Sequence, residues 1–117
     1  MINTGVDKVY LTTGSTDMRK SINGLAAIVQ ESFKLDPFSN SLFVFCNKSR
    51  NKLKILHWQH NGFWLHYRRL EKGFFQWPQE SDGNLLILSY RELKWLLDGL
   101  SLNQEQAHKK VTVNVIM

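Results

Sequence analysis

Lys52-Leu53-Lys54-Ile55-Leu56-His57-Trp58, the dipeptide Asn61-Gly62, and Phe63-Trp64-Leu65-His66-Tyr67-Arg68-Arg69-Leu70 form the stretch whose reading decides the fold. Two runs rich in aromatic and aliphatic residues flank Asn-Gly, a pair that tolerates positive φ and is the strongest short hairpin signal. Just upstream, Leu42-Phe43-Val44-Phe45-Cys46 is wholly apolar, which suits a strand covered on both faces. The polar loop Asn47-Lys48-Ser49-Arg50-Asn51 joins it to the hairpin. Downstream, Lys72-Gly73 reads as a turn and Phe74-Phe75-Gln76-Trp77 as a short strand stopped by Pro78. The middle of the chain is thus expected to be an antiparallel meander of three or four strands.

Further out, Val9-Tyr10-Leu11-Thr12-Thr13 reads as another strand, broken by Gly14-Ser15-Thr16. Ser15 or Thr16 can cap a helix with Asp17 in its first turn. Met18, Ile22, Leu25, Val29 and Phe33 then make one helical stripe, ended by Asp36-Pro37. After a polar connector from Pro78 to Asn84, Ser89 and Glu92 have capping-box spacing. Leu93, Leu96, Leu97 and Leu100 form a second stripe, with Gly99 at its expected stop. The expected fold is α+β: an antiparallel sheet of about four to five strands, with an N-terminal amphipathic helix and a C-terminal helix packed against it. Residues 1–100 are expected to form a single domain, with 101–117 as a tail. In that tail Val111, Val113 and Val115 alternate with polar residues, which suits an edge strand, a flexible end or a segment that docks on another copy.

The 117 residues, 43% hydrophobic and 21% charged, can build a core without a metal or disulfide staple. The single cysteine, Cys46, cannot form an internal disulfide and reads as a buried thiol of a reducing compartment. No apolar run approaches the ~18 residues of a membrane span. Met1 to Asp7 lacks the features of a signal peptide, so a cytoplasmic protein with no membrane partner is expected.

Charge is unevenly placed. The chain carries +5, and between Cys46 and Lys72 seven cations face one acid, Glu71. Aromatics and histidines are interleaved with those cations, a combination suited to phosphate contact and base stacking. By strand alternation, Lys52, Lys54 and Trp58 share one face of the first hairpin strand, and Trp64, His66 and Arg68 share one face of the second. One sheet face is therefore expected to carry all six. The candidates for nucleic-acid contact are Lys48, Arg50, Lys52, Lys54, Arg68 and Arg69, the rings of Trp58 and Trp64, and Arg19 and Lys20 at the start of the first helix.

Other chemistry finds little support. Gly14-Ser15-Thr16 lacks the glycine and lysine spacing of a P-loop. Cys46, His57, His60 and His66 have no zinc-site spacing. The carboxylates are scattered, with no local signature for metal-dependent or nucleophilic catalysis. No enzyme activity, metal or cofactor is expected.

Several blocks carry a resemblance. Val9-Tyr10-Leu11-Thr12-Thr13-Gly14-Ser15-Thr16-Asp17-Met18-Arg19-Lys20-Ser21-Ile22-Asn23-Gly24-Leu25 resembles the opening signature of the second-reading-frame accessory proteins of insertion sequence family sixty-six, often labelled TnpB. Leu35-Asp36-Pro37-Phe38-Ser39 with Leu42-Phe43-Val44-Phe45 resembles their next block. Asn47, Arg50, Leu53, Lys54 and Trp58 resemble a third. Gly62-Phe63-Trp64-Leu65, Tyr67-Arg68-Arg69-Leu70-Glu71 and Phe75-Gln76-Trp77-Pro78 resemble a fourth, in the same order and spacing. The resemblance implies a transposition accessory protein encoded beside a separate, larger transposase. With the charge pattern, it leads to the expectation of a factor that binds nucleic acid, DNA at the element ends foremost, and assists that transposase. The alternative is a protein-interaction module that recruits the transposase, through the leucine helix or the tail, without touching DNA.

Overall fold

The computed structural model describes residues 5–78 and 85–102. Its strands are β1 (Lys8–Ser15), β2 (Ser41–Cys46), β3 (Lys52–Gln59), β4 (Gly62–Arg69) and β5 (Leu85–Leu88). Helix α1 (Ile22–Ala27) runs directly into a π-helical turn, Ile28–Ser32, and α2 (Tyr90–Leu97) follows β5. The strands form a single sheet in the order β4-β3-β2-β1-β5.

The sheet is mixed, not antiparallel throughout. β1 and β2 pair in parallel, Val9 beside Leu42 and Leu11 beside Val44. The segment joining them carries α1 over one face, and parallel neighbours need such a crossover. All other pairings are antiparallel. Leu85–Leu88, unassigned from sequence, supplies the edge strand beside β1.

β2 explains the two-layered core. Its six residues are all buried, as a central strand covered on both faces requires. Phe43 and Phe45 point to the α1 side and pack with Leu25, Val29 and Leu56. Leu42, Val44 and Cys46 point to the α2 side, among Leu11, Ile55, Leu93 and Leu96. Burying each such side chain contributes roughly 1.5–3 kcal/mol. Burial also pushes the Cys46 thiol above its ordinary range, so it stays protonated.

The amphipathic helix expected from Ser15 or Thr16 does not form there. Asp17 Oδ1 instead accepts the Arg19 backbone N–H at 2.9 Å, closing a side-chain turn that competes with helix. Helical structure begins only after Ser21, whose side chain makes no capping bond, and lasts six residues before widening into the π turn. Met18 and Phe33, the ends of the expected stripe, lie outside both segments. At the other end α2 follows its sequence signals. Ser89 Oγ accepts from Glu92 N at 3.0 Å, and Glu92 Oε1 accepts from Ser89 N at 2.8 Å. Gly99, at φ +85°, closes the helix. Its N–H reaches Leu96 O, and Leu100 N–H reaches Trp95 O, the Schellman pattern.

Phe74-Phe75-Gln76-Trp77 is not a strand. After the Gly73 turn (φ +80°) the chain crosses the α2 face of the sheet. There Phe75 and Trp77 are buried. Trp77 Nε1 donates to Thr12 O at 2.9 Å, and Phe75 N donates to Arg50 O at 2.8 Å. The valine-rich tail and most of the 78–84 connector lie outside the described residues.

Candidate nucleic-acid interface

The β3–β4 hairpin closes through His60 and Asn61, both left-handed at φ 51° and 70°, with Gln59 paired to Gly62. The turn sits one residue earlier than the Asn-Gly signal suggested. The two-residue loop fixes which side chains share a face, because its closing pair differs by three in number and even residues therefore face odd ones. Lys52, Lys54 and Trp58 stand opposite Arg69, Tyr67 and Phe63. Trp64, His66 and Arg68 stand on the other face, opposite His57, Ile55 and Leu53. The single face expected to carry Lys52, Lys54, Trp58, Trp64, His66 and Arg68 does not exist.

What forms instead is a groove of about 880 Å³ on the α1 side, outside the carboxyl ends of β1 and β2. Four cations line it: Arg19 from the turn after β1, Lys48 from the β2–β3 loop, and Lys52 and Lys54 from β3. Leu65 and Tyr67 of β4 add an apolar and an aromatic surface. Among the described residues, Asp17 is the only carboxylate that lines it.

The cations differ in what else holds them. Asp17 takes a forked ion pair from Arg19, with Oδ2 2.7 Å from Nη2, and these bonds hold its carboxyl down near pKa about 2. Lys54 Nζ donates to Met18 O and Lys20 O, each at 2.8 Å, and lies 5.8 Å from the Tyr67 ring centroid. It ties the turn before α1 to the sheet. Lys48 and Lys52 have ammonium groups with no hydrogen-bond or ion-pair partner among the described residues.

The loop carrying Lys48 is built by Asn47. Its Oδ1 accepts from the N–H groups of Asn51 and Lys52 at 3.0 and 3.1 Å, and its Nδ2 donates to Asn51 Oδ1 at 2.8 Å. Arg50 adopts φ 61° and turns inward, donating from Nη2 to Thr13 O at 3.1 Å and lying 5.7 Å from the Trp77 ring centroid. Arg50 is thus a scaffold cation and lines no part of the groove.

The remaining candidates lie elsewhere. Arg68 is exposed on the α2 side. Arg69 pairs with Glu71 at 2.8 Å. Trp58 packs edge-on against Phe38 and Phe63, with ring centroids 4.9 Å away in each case. Trp64 is 56% exposed and stacks on His66 at 6.1 Å, on the side away from the groove. Lys20 lines a smaller neighbouring hollow. Tyr67 and Leu65 were missed as groove residues, and the odd-to-even pairing of a two-residue turn is the signal that finds them.

On the α2 side His57 is buried, and its Nε2 has no hydrogen-bond partner among the described residues. Burial, reinforced by the nearby His66, lowers its pKa, and burial likewise lowers that of His66. Among the described residues no three His, Cys, Asp or Glu side chains cluster to hold a metal. No described helix is long and apolar enough to cross a membrane.

The family model described as IS66 Orf2 like protein matches residues 7–107, which include β1 to β5, α1, α2 and the residues that line the groove. The chain belongs to that family. Membership ties it to insertion-sequence transposition, in an accessory role. Two uncharacterized proteins of Sinorhizobium fredii (strain NBRC 101917 / NGR234) are similar. Protein y4hO is 37% identical over 99 residues, covering 85% of each chain. Protein y4jC is 33% identical over 93 residues, 80% of this chain and 79% of its own. No solved structure matches significantly.

Proposed function

We propose that this IS66 Orf2-like protein assists transposition by holding nucleic acid, DNA at the element ends foremost, in the groove between the β2–β3 loop and the β3–β4 hairpin. The observation that supports this most is the charge of the groove: four cations against one carboxylate that is already paired with Arg19. Lys48 and Lys52 are the residues proposed to meet phosphates first, since neither ammonium has another partner among the described residues. Arg19 and Lys54 add field while holding the local structure. Cations so placed release counterions from the nucleic-acid backbone, so affinity falls steeply with salt.

The test is fluorescence anisotropy against a labelled element-end duplex, an unrelated duplex and a single strand at several salt concentrations. Binding that weakens with salt, and that Lys48→Ala with Lys52→Ala removes without changing the melting temperature, is expected. Undiminished affinity in that double variant would take the groove out of the reading. Preference for the end duplex over the unrelated one would make the factor sequence-specific.

A second reading rests on Trp64, whose exposed ring, stacked on His66 beside Arg68, offers an aromatic and basic patch to a protein partner. In that reading the patch contacts the transposase of the same element. Of the leucine stripe of α2, Leu93 and Leu96 are fully buried in the core, so a contact through this helix would fall to Leu97 and the exposed Leu100. Co-purification of the transposase, lost on Trp64→Ala, would favour it.

A further inference from the structure

We infer that the groove is built for an unpaired strand, with a base stacked on Tyr67, and this inference rests on the nucleic-acid reading above. The argument comes from the order of surfaces across the groove. Lys48 and Lys52 present positive charge that has no partner among the described residues, whereas Leu65 and Tyr67 present an apolar and an aromatic surface. Tyr67 is 53% exposed, and Leu65, only partly buried, lies two residues before it on the same face of β4.

A duplex offers phosphates on its outside and hides the faces of its bases. It could satisfy the lysines, but Leu65 and Tyr67 would be left with nothing flat and apolar to cover. An unpaired strand has phosphates along one side and free base faces along the other, which matches the two surfaces together. The groove volume of about 880 Å³ lies in the range of clefts that enclose small ligands. Lys54 Nζ, 5.8 Å from the ring centroid and fixed by two carbonyls, helps hold the Tyr67 ring in place. Every base has a π face, so the stack tolerates sequence.

The experiment measures anisotropy of the full chain with a labelled oligodeoxythymidylate of about 20 residues and a labelled mixed-sequence duplex of similar length, at matched salt. The single strand is expected to bind at least tenfold more tightly. Tyr67→Ala and Tyr67→Leu should each weaken single-strand binding by about 5- to 100-fold, the loss of one stacked base, and leave duplex binding within about twofold. Tyr67→Phe, which keeps the ring, should bind like the parent and also shows whether the fold tolerates change there. Equal affinity for both probes, or single-strand affinity unmoved by Tyr67→Leu, overturns this inference while leaving the backbone-binding reading in place. Absence of binding to either probe overturns both.

Discussion

The two faces of the β3–β4 hairpin use the same residue types to opposite ends. On the α1 side, Lys52, Lys54, Leu65 and Tyr67 border an open groove. On the α2 side, Leu53, Ile55 and His57 are buried, and only the outer strand's Trp64 and Arg68 are well exposed. Count alone does not separate these faces, since each receives cations and rings. What separates them is what lies above: α2 and the Phe75–Trp77 segment cover one core, whereas the turn before α1 leaves the end of the other open. A basic aromatic hairpin is therefore informative only once its pairing parity and its cover are known.

The largest effects should come from breaking the cover on each side. Leu56→Ala on the α1 side and Leu96→Ala on the α2 side each remove a fully buried side chain and should cost about 2–5 kcal/mol in urea denaturation. Similar losses would show that both faces carry the fold. A loss confined to one would make the other a detachable layer.

Next come the cations, where the comparison is sharpest. Arg50→Ala should destabilise by about 1–3 kcal/mol, because Thr13 O loses a charged donor, and should change nucleic-acid affinity only through stability. Lys48→Ala, one loop residue pair away, should leave the melting temperature unchanged and lower the log–log salt slope by about 0.7–0.9, the share of one phosphate. A quadruple change at Lys48, Arg50, Lys52 and Lys54 would mix the two effects, since Arg50 and Lys54 hold backbone carbonyls.

The smallest effect concerns pH and the α2 side alone. Burial lowers the His57 pKa, so the unfolded chain binds a proton more readily below its ordinary value near 6.5. The stability this histidine contributes is complete above that value and is lost as pH falls from there toward its lowered folded pKa. His66 adds in the same direction. Urea midpoints measured from pH 7.5 to 5 should decline with acid, and His57→Leu should flatten part of that decline. An unchanged slope would mean that His57 is as free to protonate in the fold as outside it.

Much of the fold was legible where local chemistry acts alone. The capping box of Ser89 and Glu92, the Gly99 stop and the all-apolar Leu42–Cys46 run each follow from neighbouring residues. The failures occur where distant segments compete. Asp17 prefers a turn with Arg19 over the helix that the apolar stripe favoured. Phe74–Trp77 has strand composition, yet the open carbonyl of Thr12 and the core on the α2 face draw it across the sheet. The site was half legible: Lys48, Lys52, Lys54 and Arg19 were named as candidates, but their meeting in one groove needs β1 and β2 side by side. Arg50 could not be set apart from Lys48, because its inward turn depends on Thr13 and Trp77, far away in sequence.

The pairing of β1 with β5 has a consequence for how the chain is made. Val9 finds Leu88 as its neighbour, so a strand near the beginning is completed by one near the end. Contacts this remote in sequence close slowly, whereas the β2–β3–β4 meander joins neighbours and can form early. During synthesis β1 must wait, with one edge unpaired and Leu11 without its α2 cover, until β5 and α2 emerge. A nascent or truncated chain ending before Leu85 would carry an open sheet edge beside an uncovered apolar face, the combination that draws in other chains.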